Sequence, residues 1–269
     1  MLPVLLDLGI FKIYTYGIFL LLAFFWSAYF LWKNILLTSF KEEDVFDSVF
    51  VSLVIGLLIG RTEFVLLHLS DYNWDFLKFF LINGYPGIGY IGFLLGFFAS
   101  ISLALKRQDI SIAKVIDCIV PPFLLGIAIA KIGAFFSGTE IGSTTDFPVA
   151  LIYQNIDGPR HVTALYESIL YFGMTYLSYR VLRSIRRDKF ENGFNGYFFI
   201  FSVSLVILIF DNFKSFRVIL PMTSVSLDFI ISGISFLTIL GYYGYYFRDQ
   251  ILNSIKEFWK KLKVTHSKD

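Results

Sequence analysis

The sequence predicts an all-α integral membrane protein with seven transmembrane helices, on three observations. Hydrophobic residues make up 56% of the 269-residue chain and charged residues only 16%, whereas a soluble domain is about 25% charged. Apolar runs of about 20 residues, the length that a helix needs to cross a bilayer, recur along the chain. Lysine and arginine are concentrated in alternate segments between these runs. Together they predict a helical bundle whose N-terminus lies outside and whose C-terminus lies in the cytoplasm.

The predicted spans differ in how many ionisable residues they contain. Four are free of charge, and three contain ionisable side chains, which are Arg61, Glu63, Asp117, Lys131 and Glu167. The seven predicted spans are residues 13–32, 49–69, 81–105, 115–136, 164–179, 192–210 and 229–247. Close helix packing is predicted at two pairs with Gly-x-x-x-Gly spacing, which are Gly56 with Gly60 and Gly92 with Gly96.

The distribution of cations determines the predicted orientation and the boundary of the membrane domain. With the N-terminus outside, the inner segments carry 16 of the 23 lysines and arginines and the outer segments carry five. The membrane domain then covers residues 1–250. Residues 251–269 form a basic amphipathic tail, which we expect to lie along the cytoplasmic leaflet.

Composition also excludes several classes of protein. The single cysteine, Cys118, excludes a disulfide framework and any multi-cysteine metal site. The histidines are three and scattered, so no metal centre or other cofactor is expected. A net charge of +2, with no patch of basic and aromatic residues, does not predict nucleic acid as a partner.

Ionisable residues inside predicted spans indicate a functional site, because each costs about 2.5–3.5 kcal/mol to insert. Those toward the outer half of their helices are Arg61, Lys131, Glu167 and Asp211. The outer connections add Glu140, Arg160, His161, Lys214 and Arg217. Both signs of charge at one depth predict an outer-leaflet cavity for a phospholipid head group, with cations for its phosphate and carboxylates to orient them.

Other interpretations remain open at this stage. Arg61 and Glu63 could form a structural ion pair, and Lys131 could extend to the outer surface. A small transporter could use Arg61, Glu63 and Lys131 as an ion path, although a transporter is expected to carry ionisable residues at several depths.

The stretch A130-K-I-G-A-F-F-S-G-T-E-I-G142 resembles the signature of the bacterial prolipoprotein diacylglyceryl transferases, commonly written G-R-x-G-N-F-x-N-x-E-x-x-G. The resemblance continues in order along nearly the whole chain, and the predicted topology agrees with it. Other stretches similar to family motifs are Y14-T-Y-G17, I59-G-R-T-E-F-V65, P86-G-I-G-Y-I-G-F-L-L-G96, D117-C-I-V-P121 and R160-H-V-T-A-L-Y-E167. The motif residues that match unchanged are Tyr16, Arg61, Gly133, Gly142, Arg160, His161, Tyr166 and Glu167.

The chain also departs from the family pattern, so it resembles a divergent member. Lys131 stands in place of the signature arginine, which keeps the charge and loses the planar fork that binds phosphate through two hydrogen bonds. The signature glutamate falls on Thr139, with Glu140 one place later. The other substituted positions are Ala134 and Ser137 for two asparagines, Ile91 for a histidine and Ile207 for an arginine.

The resemblance implies a reaction and its partners. Members of the family transfer the diacylglyceryl group of phosphatidylglycerol to a cysteine thiol in the lipobox of a prolipoprotein signal peptide, at the bacterial cytoplasmic membrane. The implied catalytic residues are Arg61, Lys131, His161, Glu167 and Asp211. The implied lipid-binding residues are Tyr16, Gly133, Ser137, Glu140, Gly142, Arg160, Tyr166 and Lys214.

Roles follow from the same resemblance. Arg61 and Lys131 would hold the phosphate, with Lys214 behind them, and His161 would act as general base. Glu167 and Asp211 would orient the cations, and Tyr16 would hydrogen-bond the head group. Two alternatives with the same fold stay open, which are an enzyme with another lipid or acceptor and a lipid-binding protein without catalysis.

Overall fold

The computed structural model describes residues 2–9, 12–72, 76–81, 85, 87–153, 156–219, 225–250, 252–253 and 256, and it is mostly helical. The predicted basic tail at 251–269 lies outside the described residues except for 252, 253 and 256. In chain order the elements are β1 (Val4–Asp7), β2 (Lys12–Tyr14), α1 (Thr15–Ile35), α2 (Glu42–Leu67), α3 (Leu69–Tyr72), α4 (Phe76–Phe80), α5 (Tyr90–Arg107), α6 (Ile112–Ser137), β3 (Ala150–Ile152), β4 (Pro159–His161), α7 (Thr163–Ile185), α8 (Phe194–Phe210), the 3-10 turn η1 (Asp211–Phe213) and α9 (Leu227–Tyr246).

Six of these helices are long and apolar enough to cross a membrane, which are α1, α2, α5, α6, α8 continued by η1, and α9. Helix α7 has 23 residues but is less apolar, because it carries Glu167 and, toward its end, Arg180 and Arg183. The chain is therefore a mostly helical multi-pass membrane protein.

Two short antiparallel hairpins, β1–β2 and β3–β4, were not expected from the sequence. Strands of three or four residues are too short for an alternating pattern to be recognised. The second hairpin matters for the site, because its strand β4 carries Arg160 and His161. The all-α prediction is therefore confirmed for six of the seven predicted spans, and it misses these two hairpins.

Helix α6 is the centre of the bundle and packs against α1, α7 and α8. Val120, Leu124 and Ala128 on α6 are fully buried, in one apolar cluster with Tyr171 of α7 and Phe199 of α8. Helices α2 and α5 pack closely together and share a second apolar cluster with α6, and α9 packs on α8. Helix α6 therefore forms one wall of a cavity that lies between these helices.

Helices α2 and α5 approach closely at their glycines, which confirms the packing role predicted for the Gly-x-x-x-Gly pairs. A Cβ atom at Gly60 would lie 2.7 Å from the carbonyl oxygen of Gly89, and one at Gly96 would lie 2.9 Å from Cβ of Ile59. The N–H of Gly89 also donates to the carbonyl of Gly60 at 2.8 Å. Larger side chains at these positions would force the two helices apart.

Two prolines at 121–122 interrupt the hydrogen bonds of α6 without breaking the helix. Because proline has no N–H, the carbonyls of Asp117 and Cys118 lose their usual helical partners. Asn195 Nδ2 donates to the Asp117 carbonyl at 3.0 Å, and Asn34 Nδ2 donates to the Cys118 carbonyl at 2.9 Å. Side chains from α8 and α1 therefore satisfy the backbone that the prolines leave open.

Two carboxylates of the predicted spans stabilise the starts of neighbouring helices. Asp117 accepts hydrogen bonds from the N–H groups of Gly193 and Asn195, at 2.6 and 2.9 Å, where α8 begins. Glu63 accepts one from the N–H of Gly92, at 2.6 Å, in the first turn of α5. A negative charge is favourable at a helix N-terminus, so both carboxylates have a structural function.

Candidate active site

A cavity of about 570 Å³ lies between α1, α2, α5 and α6. Most of its wall is apolar, and the part of α1 that lines it, from Tyr16 to Leu31, is about 22 Å long at 1.5 Å per residue. Charged side chains are confined to the end of the cavity at Tyr16. The polar residues at this end are Tyr16, Tyr90, Lys131, Glu140, Glu167, Tyr171, Lys214 and Asp228.

The cavity is open at the surface between α1 and α2. Phe24 of α1 and Phe50 and Leu57 of α2 line the cavity and are also 45%, 61% and 47% exposed. Apolar side chains exposed on spanning helices face lipid tails. The cavity therefore reaches the apolar surface of the bundle between α1 and α2.

Lys131 lies at the charged end, and its ammonium group contacts two carboxylates. Lys131 Nζ is 2.6 and 2.8 Å from the two oxygens of Glu140, and 2.5 Å from Oε2 of Glu167. The other oxygen of Glu167 is 2.9 Å from Nζ of Lys214. The side chain of Glu167 is 2% exposed and that of Glu140 is 35% exposed. Glu167 is thus a buried bridge between two ammonium groups, and Glu140 is the outer partner of Lys131.

The end of α6 brings Glu140 back to Lys131. Gly138 ends the helix in a left-handed conformation with φ of 73°, which a residue without Cβ adopts readily. The N–H groups of Gly138 and Thr139 both donate to the carbonyl of Ala134, at 3.0 and 3.2 Å. The chain therefore turns back over the last turn of α6, and the glutamate one place after the signature position reaches the lysine.

Lys214 is positioned by pairing between the segment after α6 and the segment after η1. Gly142 and Lys214 form an antiparallel bridge. The N–H of Ser215 donates to the carbonyl of Ile141 at 3.1 Å, and the Ser215 hydroxyl donates to the carbonyl of Gly142 at 2.5 Å. A Cβ at Gly142 would lie 2.2 Å from the carbonyl oxygen of His161, so only glycine fits between these strands.

Arg61 is buried but does not line the cavity. Its Nε donates to the carbonyl of Phe79 at 2.9 Å, and its terminal nitrogens donate to the carbonyls of Lys78 and Gly87, each at 2.8 Å. The structure therefore places this guanidinium on the backbone of α4 and of Gly87, which precedes α5. Among the described residues, no ion pair links Arg61 to Glu63, so the alternative of a structural pair between them is not supported.

His161 also lies away from the cavity lining. Its ring packs against the ring of Phe213, with centroids 4.8 Å apart, and its backbone N–H donates to the carbonyl of Ser143 at 3.0 Å. Within the described part of the chain, Nδ1 of His161 is buried without a hydrogen-bond partner. The geometry does not bring this imidazole to the charged end, because strand β4 directs it into the loops beside η1.

Asp211 supports the loop that carries Lys214 and does not line the cavity. Its carboxylate accepts a hydrogen bond from the Ser226 hydroxyl at 2.7 Å, and it lies 3.7 Å from the guanidinium of Arg217. Its carbonyl accepts from the N–H of Lys214 at 3.1 Å. Asp211 thus holds the end of α8 and the start of α9 together beneath the charged end.

The remaining predicted residues are distributed between packing and loop contacts. Gly133 lets α1 approach α6, because a Cβ there would lie 2.4 Å from Cβ of Phe19. The hydroxyl of Ser137 is 3.1 Å from that of Thr139. The other loop contacts are those of Arg160 with Ser215 at 3.0 Å and with the Gly142 carbonyl at 3.3 Å, and of Tyr166 with the Val149 carbonyl at 2.7 Å.

Sequence reasoning missed three polar residues at the charged end of the cavity, which are Tyr90, Tyr171 and Asp228. The hydroxyls of Tyr90 and Tyr171 are hydrogen-bonded to each other at 3.2 Å. Asp228 lies one residue before the predicted seventh span. The rule that selected Asp211, an acidic residue at the outer end of a span, would have found it.

Comparison with known proteins gives consistent matches along the chain. A family profile described as prolipoprotein diacylglyceryl transferase matches residues 3–245. A phosphatidylglycerol–prolipoprotein diacylglyceryl transferase of Clostridium tetani is 27% identical over 215 residues, which cover 77% of this chain and 84% of the relative. The protein of the same name from Chloroherpeton thalassium is 31% identical over 183 residues, 66% of this chain and 68% of the relative.

Proposed function

This chain belongs to the prolipoprotein diacylglyceryl transferase family, and we infer that it transfers the diacylglyceryl group of phosphatidylglycerol to a prolipoprotein. The family match over residues 3–245 carries this conclusion, since it includes every element that forms the cavity. The chain is thus a membrane-embedded transferase of lipoprotein biosynthesis.

We propose that α7 is a seventh span and that the N-terminus lies outside the bacterial cytoplasmic membrane. Helix α7 is about 35 Å long, enough for a hydrocarbon core of about 30 Å. It packs between α6 and α8, so Glu167 is buried in protein and does not face lipid. The distribution of cations supports this orientation. In this orientation the charged end of the cavity lies at the outer surface.

Lys131 and Lys214 are the proposed binding groups for the lipid phosphate. Both ammonium groups lie at the charged end, and the acyl chains would follow the apolar wall toward Leu31. A lysine offers a point charge where arginine would offer a fork, so two lysines linked by Glu167 compensate for the substituted arginine. In this role Glu167 orients both ammonium groups, and the hydroxyl of Tyr16 hydrogen-bonds the head group.

The reaction joins sulfur to carbon and releases a phosphate ester. The thiol of the lipobox cysteine in a prolipoprotein signal peptide attacks a glyceryl carbon of the lipid. The bond from that carbon to the phosphate oxygen breaks, and glycerol phosphate leaves with one additional negative charge. Lys131 and Lys214 would stabilise this charge in a cavity where water is scarce.

In our proposal Arg61 does not contact the lipid or the thiol. Its three hydrogen bonds hold the segment before α5, and α5 contributes Tyr90 to the charged end. Arg61 is thus a positioning residue that keeps one wall of the cavity in place. Asp211 has the same kind of role for Lys214.

The test is a transfer assay with purified protein in phosphatidylcholine nanodiscs that contain phosphatidylglycerol. A lipobox peptide with one cysteine is added, and the mass of a thioether-linked diacylglyceryl group is followed. We expect product from the wild-type protein, and a rate lower by about 10²–10³ in Lys131→Met, the usual loss for one transition-state contact.

Lys106→Met is the matched control, because Lys106 lies at the far end of α5 and outside the cavity. We expect it to transfer at the wild-type rate. Absence of product from the wild-type protein while phosphatidylglycerol still binds would favour a lipid-binding protein without this activity. An unchanged rate in Lys131→Met would remove Lys131 from the site.

A further inference from the structure

The proposed transfer requires a group that accepts the proton of the incoming thiol, since the thiolate is the nucleophile. Among the described residues that line the cavity there is no histidine. The nearest candidate from the sequence, His161, lies in the loops beside η1. The possible proton acceptors that line the cavity are therefore the carboxylates and phenols of its charged end.

Most of these groups already have their oxygens engaged. Both oxygens of Glu167 contact ammonium groups, and both oxygens of Glu140 accept from Lys131. The hydroxyls of Tyr90 and Tyr171 are bonded to each other. Each of these groups would have to break an existing contact before it could take a proton.

Tyr16 and Asp228 are the exceptions, since no described residue is hydrogen-bonded to the hydroxyl of Tyr16. A phenol carries its own proton near neutral pH, so Tyr16 is a poor acceptor, and Asp228 is the carboxylate that remains. It lies in the first turn of α9 and is half-buried, and it lines the cavity together with Lys214. Among the described residues its carboxylate takes part in no hydrogen bond or ion pair. The charges that act on it from neighbouring elements are those of Lys214, Asp211 and Glu63. Its oxygens are thus free to accept a proton next to one of the two lysines proposed to hold the phosphate.

We propose that Asp228 is the general base of the transfer. The thiol proton passes to the Asp228 carboxylate, which becomes a neutral acid. The sulfur electron pair forms the bond to the glyceryl carbon, and the pair of the broken carbon–oxygen bond stays on the leaving glycerol phosphate between Lys131 and Lys214. The inference rests on the proposed function, and it assigns a role to a residue outside the family motifs quoted above.

A purely structural role for Asp228 would be to stabilise the N-terminus of α9. That position already has its cap, because Ser226 accepts a hydrogen bond from the N–H of Phe229 at 3.1 Å. The carboxylate of Asp228 bonds to no backbone N–H among the described residues. Asp44 offers a matched comparison, since it is an acidic, half-buried residue in the first turn of α2 that does not line the cavity.

The experiment measures kcat and KM for a lipobox peptide, together with phosphatidylglycerol binding, in nanodiscs. We expect Asp228→Asn to lower kcat by about 100-fold or more, the usual contribution of a general base, while KM and lipid affinity stay within about twofold of wild type. Asp44→Asn should leave all three unchanged. In Asp228→Ala, added formate should restore transfer, because a small carboxylate can enter the vacated position.

The outcomes separate this inference from the function on which it rests. If the wild type transfers and Asp228→Asn keeps its kcat, Asp228 is not the base and the transferase stands. Weaker lipid binding with unchanged kcat would make Asp228 a head-group contact and overturn the proposal. If Asp228→Asn does not fold, formate rescue of Asp228→Ala decides, and absence of rescue counts against the base. A wild type without product overturns both.

Discussion

Replacing Glu167 by glutamine tests the charged end of the cavity most sharply, because the change keeps the shape of the side chain and removes its charge. The carboxylate is 2% exposed and contacts Lys131 and Lys214 at 2.5 and 2.9 Å. Removing one partner of a buried ion pair costs about 3–5 kcal/mol. Here Lys131 keeps Glu140, and Lys214 is 27% exposed and can reach water.

These two compensations lower the expected loss of unfolding free energy to about 2–3 kcal/mol. For a chain of this size that loss corresponds to a fall in Tm of about 5–10 °C. Transfer should fall by about 10²–10³, because Lys214 loses the group that orients it.

Thermal unfolding in detergent and the nanodisc transfer assay measure the two effects of Glu167→Gln. Glu43→Gln is the control, since Glu43 is an exposed acid in the first turn of α2. A Tm within about 2 °C of wild type together with unchanged transfer would refute the buried bridge as the organiser of the site.

Two further predictions concern residues around the bridge. Glu140→Gln should tighten phosphatidylglycerol binding by about two- to fivefold, because it frees Lys131 from a partly exposed partner. The ion pair with that partner is worth up to about 1 kcal/mol. Weaker lipid binding would show instead that Glu140 holds the lipid. Arg61→Met should lower Tm, since it removes three hydrogen bonds made by a buried guanidinium, and a hydrogen bond to a charged group is worth about 1.5–3 kcal/mol. A variant with wild-type Tm and abolished lipid binding would instead indicate that Arg61 binds the phosphate.

Much of the fold follows from the sequence, because the spans are long and almost continuous in hydrophobicity. The Gly56 and Gly96 contacts also follow, since small residues at a spacing of four mark a close helix pair. The two prolines at 121–122 lie within one of these spans and do not break its helix. They are tolerated because two asparagines replace the missing helical bonds, and no local pattern predicts that partnership.

The site is only partly predictable for a different reason. The cost of burying a charge selected Lys131 and Glu167, and both line the cavity, each beside a partner of opposite charge. The same rule selected Arg61, whose partners are backbone carbonyls of the short helix α4 and of Gly87, and periodicity does not reveal such partners. His161 illustrates the same limit, because three residues of strand turn its ring away from the cavity.

We propose above that the charged end of the cavity binds the phosphate of the lipid. Binding of labelled phosphatidylglycerol to wild type and to Lys131→Met, in phosphatidylcholine nanodiscs, measures it directly. We predict saturable binding that is at least about tenfold weaker in the variant, the equivalent of 1.4 kcal/mol. Equal affinity in the two proteins would show that the phosphate binds away from Lys131.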